Sequence, residues 1–117
     1  MSDCWPKIWG KNVEVYANDL NSVNVLRIKK GGTCSCHSHK TKHNIFHVIE
    51  GTLVIDCPEM GQSEIKAGQS FTVFAGTIHF FQALEDTIAI EIMFVKYDGN
   101  DIDRKNIGSI QNVDEEK

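Results

Sequence analysis

At 117 residues, with 41% hydrophobic and 24% charged side chains, the chain has the size and balance of one domain around one core. Its longest apolar runs, such as residues 88–95, are far shorter than a membrane span and contain Glu91, which excludes a transmembrane helix. The net charge is -4 and the lysines are scattered apart from Lys40 and Lys42, so nucleic acid is not an expected partner.

In chain order, the opening residues have neither a basic leader nor an apolar signal core, which predicts a cytoplasmic protein with reduced thiols. Cys4, Cys34, Cys36 and Cys57 have no disulfide-framework spacing, and the step from Cys34 to Cys36 is too short for an ordinary bridge. Segments 12–16, 23–29, 45–49, 52–56, 63–66, 70–74, 79–83 and 87–97 are rich in β-branched and aromatic residues and read as strands. Between them lie turn signals carrying Gly31, Gly32, Gly51, Gly61, Gly68 and Gly76. Nothing has a helical period over a useful length. About eight short strands at this spacing predict an all-β sandwich or closed barrel. The polar tail from Asp98 is expected to add a short helix or stay loose, with residues 114–117 disordered beyond a single domain at 1–113.

All five histidines fall between positions 37 and 79, and four of them, His37, His39, His43 and His47, lie within eleven residues. Side chains alternate along an extended chain, so His37 and His39 are expected to present two imidazoles to one ion. His79, just after the Ala75-Gly76 turn, is placed to complete a facial set of three nitrogen ligands. Neutral imidazole suits iron, manganese, zinc, copper and nickel, so the expected cofactor is one divalent transition metal, with Zn, Mn, Fe or Ni foremost.

These residues carry a resemblance to the cupin family. Its first motif is a glycine, five residues, His-x-His, three or four residues, an acid, six residues and a glycine. Gly31, His37, His39, position 44 and Gly51 match that spacing, and Gly68, Ala75, Gly76 and His79 match the second motif. The resemblance covers about residues 23–96 and implies a double-stranded β-barrel, or jelly roll, with one bound metal. The acidic slot holds Asn44, preceded by His43; four-histidine cupins favour His43 as the fourth ligand, while strand parity counted from Gly51 favours Asn44. A closer likeness, to the type II mannose-6-phosphate isomerases, rests on Trp9-Gly10, Val25-Leu26-Arg27-Ile28, His37-Ser38-His39-Lys40 and the tail Asn100-Asp101-Ile102-Asp103-Arg104. It implies a sugar or sugar phosphate as the small-molecule ligand.

Arg27 and Lys40 carry fixed positive charge suited to a phosphate or carboxylate. Glu91, a carboxylate inside an apolar strand, is the candidate general base or partner to the ligands. His47 has the parity opposite to Asn44 and is expected to face away from the pocket. Cys34 and Cys36 have the parity opposite to His37 and His39 and are likewise assigned to the other face. Phe46, Phe71, Phe80, Phe81 and Phe94 are expected in the core. Two further readings accompany the isomerase: a dioxygenase using the positions three histidines leave open, and a non-catalytic binder. Exposed sheet edges and faces in so small a barrel predict a homodimer.

Overall fold

A computed structural model describes residues 3–95 and 108–111. The end of the last expected strand (Lys96 and Tyr97), the Asn100–Arg104 cluster and the tail at 114–117 lie outside the described residues. The described residues form nine strands and no helix. These are β1 (Asp3–Lys7), β2 (Gly10–Ala17), β3 (Ser22–Ile28), β4 (His43–Glu50), β5 (Thr52–Cys57), β6 (Gly61–Lys66), β7 (Ser70–Val73), β8 (Phe80–Ala83) and β9 (Thr87–Phe94). The all-β expectation holds.

Every pairing is antiparallel, in a six-stranded sheet of order β1-β2-β3-β9-β4-β7 and a three-stranded sheet of order β6-β5-β8. Alternation along the strands decides what goes inside. In β4, Asn44, Phe46 and Val48 are buried while His43, Ile45 and His47 are not; in β5, Leu53, Ile55 and Cys57 are buried. Phe46, Val48, Leu53, Ile55 and Cys57, with Leu26 and Ile28 of β3, Phe81 and Ala83 of β8 and Ala89 of β9, form one core fed by both sheets. Burying side chains of this size is worth roughly 1.5–3 kcal/mol each before entropy is subtracted. The chain crosses from β4 to β5 at Gly51, whose φ of +92° is open to glycine. A Cβ there would also lie 2.4 Å from the Asp86 carbonyl oxygen, so no other residue makes this corner without moving the β8–β9 turn.

The strand β1 is additional to the eight read from sequence. Pro6 argues against an interior strand, and the structure meets that objection by placing β1 at the sheet's edge. It pairs only with β2, across the turn at Ile8 and Trp9.

Candidate metal centre

The site is made by the connection from β3 to β4, which does not form a regular strand. It runs beside β8 and its preceding turn, held by isolated bridges Thr33–Gln82 and His37–His79. At the second bridge each backbone N–H donates to the other's carbonyl, at 3.0 and 2.8 Å, so His37 and His79 face each other directly. Gly76, at φ +87°, makes the turn that delivers His79, and its N–H donates to the His39 carbonyl at 2.7 Å. Backbone geometry thus brings three histidines from two distant segments together.

Their ring centroids lie 5.0 Å (His37–His39), 4.5 Å (His37–His79) and 6.0 Å (His39–His79) apart. One nitrogen from each lies within 4.8 Å of the others. His37 Nδ1 contacts the Ser35 carbonyl at 2.7 Å and His79 Nδ1 contacts the Thr77 carbonyl at 3.0 Å. A carbonyl only accepts, so both Nδ1 atoms carry the proton, and in the neutral ring each Nε2 then carries a lone pair. His79 is 1% exposed, and its buried Nε2 has no hydrogen-bond partner among the described residues. A lone pair in that position is costly unless something coordinates it. Imidazoles anchored through Nδ1 to backbone carbonyls are the usual arrangement around a metal. Burial, then the neighbouring His37 and His79, then Lys42, lowers the pKa of His39. Burial lowers that of His79 too, against the Thr77 contact, which raises it. Both effects favour the neutral, ligating form.

The inner face of the large sheet carries one polar pair among its apolar side chains. Asn44, 1% exposed, donates from Nδ2 to Glu91 Oε2 at 2.7 Å, while its Oδ1 has no partner among the described residues. The two are diagonal neighbours, since Asn44 is opposite Met93 and Glu91 opposite Phe46. Burial raises the Glu91 pKa; the Asn44 hydrogen bond and nearby His37 act against that rise. Glu91, His37 and His39 line a cavity of about 740 Å³.

The other predicted site residues are dispersed. His43 points outward, its Nδ1 accepting the Ala75 N–H at 2.9 Å and its ring 5.5 Å from those of Phe74 and Phe94. It is not one of the three converging histidines. His47, on the same outer side, contacts Ser70 Oγ at 2.6 Å. Arg27 is exposed on the outer face of β3 and lines a separate groove with Lys11 and Lys29. Lys40 is exposed at the bend after His39 and does not line the cavity.

One expectation needs correction. Cys34, assigned by alternation to the face opposite the histidines, lines the same cavity. Its Sγ accepts the Phe81 N–H at 3.3 Å, and burial raises its thiol pKa. With few rungs in this connection, strict alternation does not apply. Cys36 is exposed, as a free thiol. Sequence reasoning also missed Lys7 and Asn12, which the β1–β2 hairpin brings to the cavity, where Asn12 Oδ1 is buried without a partner among the described residues. The Trp9-Gly10 pair was the signal that pointed there.

No curated protein matches the chain. Among solved structures, it is similar to KdgF from Halomonas sp., with a TM-score of 0.72 at 19% identity over 82% of this chain and 88% of that one. An RmlC-like cupin from Shewanella frigidimarina is similar at a TM-score of 0.69 and 19% identity, over 82% and 86% of the two chains. The Cnp3 cupin domain of Schizosaccharomyces pombe gives a TM-score of 0.65 at 12% identity, over 74% and 64%. At these identities the likeness is one of fold. The Cupin domain family matches residues 24–96, more than half of the chain and both histidine segments, and the protein therefore belongs to the cupin family, whose members often bind a metal.

Proposed function

We propose that this cupin holds one divalent transition metal through His37, His39 and His79 and acts on a small organic molecule carrying two neighbouring oxygen atoms. The observation that carries the proposal is the pairing of Nδ1 atoms with the Ser35 and Thr77 carbonyls, which leaves Nε2 lone pairs for an ion. When bound, such an ion supplies Lewis acidity to a ligand carbonyl. Asn44 Oδ1 is the further neutral oxygen on the inner face. Glu91 is the group that takes and returns a proton, because its carboxylate lines the cavity and one of its oxygens is fixed by Asn44. Lys7 is the cation that faces an anionic end of the ligand. Proton transfer beside a carbonyl is isomerase-type chemistry, and open-chain sugar phosphates, implied by the motif resemblance, are members of the wider class of α-hydroxycarbonyl substrates.

Metal analysis of the purified protein and of a His37→Ala, His39→Ala double variant tests this. The expected result is about one equivalent of transition metal per chain, lost in a variant that keeps its β circular-dichroism spectrum. Metal-loaded protein is then expected to exchange the α-proton of a bound hydroxycarbonyl into deuterated water without consuming oxygen. Oxygen uptake with the same compounds would move the reading to a dioxygenase. No metal at any loading would sink it.

A further inference from the structure

The aromatic rings behind the histidines form a row. Trp9 meets Phe81 edge to face at 5.2 Å, Phe81 meets Phe46 at 6.2 Å, and Phe46 meets His79 at 6.2 Å. The row runs from the β1–β2 turn to a converging imidazole, and Trp9, Phe81 and Phe46 all line the cavity. Leu26 and Met93 line it too, and Ile8, fully exposed, extends the apolar lining to the turn. Leu26, Phe46 and Phe81 are between 1% and 4% exposed and form the closed floor of the cavity, while the partly exposed Trp9 and Met93 offer the apolar surface a ligand meets. A hydroxyl left unpaired there costs about 1–3 kcal/mol. The uncharged polar side chains that share the lining with the histidines and Glu91 are Asn12, Thr33, Cys34 and Ser35, and Lys7 is the only cation among the lining residues.

We infer that the ligand has an apolar, ring-bearing body lying against the Trp9–Phe81–Phe46 row and a two-oxygen head at the histidines, in preference to a polyhydroxylated sugar phosphate. The inference rests on the metal reading above and narrows its substrate class. A ring of about 150 Å² buried at roughly 25 cal/mol per Å² gives ample preference over a ligand without one.

Two hydroxamates with the same chelating head separate body from head. Calorimetric titration of the metal-loaded protein with acetohydroxamate and benzohydroxamate, each corrected for its affinity for the aqueous ion, is expected to favour benzohydroxamate at least about tenfold. Trp9→Ala is expected to reduce that preference through weaker benzohydroxamate binding, and Trp9→Phe to restore most of it. Equal corrected affinities, or tighter binding of glucose 6-phosphate than of benzohydroxamate, would overturn this inference and leave the metal centre standing. A protein that takes up no metal would overturn both.

Discussion

The strand β4 and the connection that precedes it teach opposite lessons about reading side-chain direction. β4 is hydrogen-bonded on both sides, to β7 and β9, and its residues alternate without exception from His43 to Val48. The connection holding His37 and His39 touches its neighbour at isolated bridges. There Cys34 shares a cavity with His37, three positions on, which strict alternation forbids. Alternation is a property of an unbroken ladder. Where rungs are missing the chain rotates between them, and in this molecule that is where the chemistry sits.

If the ladder sorts β4, adjacent substitutions should differ sharply. Phe46→Ala, in the core at 1% exposure, is expected to cost about 3–5 kcal/mol, lowering the urea midpoint substantially. Ile45→Ala, on the outer face and only partly buried, is expected to cost about 1 kcal/mol. Similar losses at both positions would mean that the outer face is as enclosed as the core in solution.

The same contrast explains what could be read in advance. Eight strands, the turn glycines and the inward course of Asn44, Phe46 and Val48 follow from patterns with period two, because the sheets keep their rungs. The meeting of His37, His39 and His79 was legible through motif spacing, although the cause is the bridge between positions 37 and 79 and not parity. Arg27 shows a different limit of the sequence. Its charge was visible in sequence, but its direction is set by Leu26 and Ile28 facing the core on either side. Lys7 and Asn12 depend on a hairpin whose first strand contains Pro6, and only pairing at the sheet edge makes that segment a strand.

A second adjacent comparison concerns polar groups. Asn44→Ala removes the donor to Glu91 and leaves a partly buried carboxylate unpaired; a hydrogen bond to a charged group is worth about 1.5–3 kcal/mol. His47→Ala removes a contact with Ser70 on the outer face and is expected to cost no more than about 1 kcal/mol. Chemical denaturation of the two variants at neutral pH checks the order. Reversal would place the stabilising polar contact outside the barrel.

The smallest expected effect comes from Glu91 and the imidazoles titrating with opposite signs. In metal-free protein His39 and His79 have pKa values below the ordinary 6.5, so the unfolded chain binds those protons more readily. Their contribution to stability is present above pH 6.5 and is lost as pH falls through that value toward the lower folded ones. Glu91 is raised above 4.5, so here the folded chain holds the proton, and its contribution is present below 4.5 and lost as pH rises through the folded value. Glu91→Gln removes the second effect while its side-chain carbonyl can still accept from Asn44. Thermal unfolding from pH 4.5 to 8 is therefore expected to show the variant equal to the parent at the acid end and a few degrees more stable at the alkaline end. The variant's stability should also fall more steeply on acidification, because only the imidazoles then titrate. A variant less stable at pH 8 would mean that the charged hydrogen bond from Asn44 outweighs the cost of burying the carboxylate, which would make the ionised pair part of what holds β4 to β9.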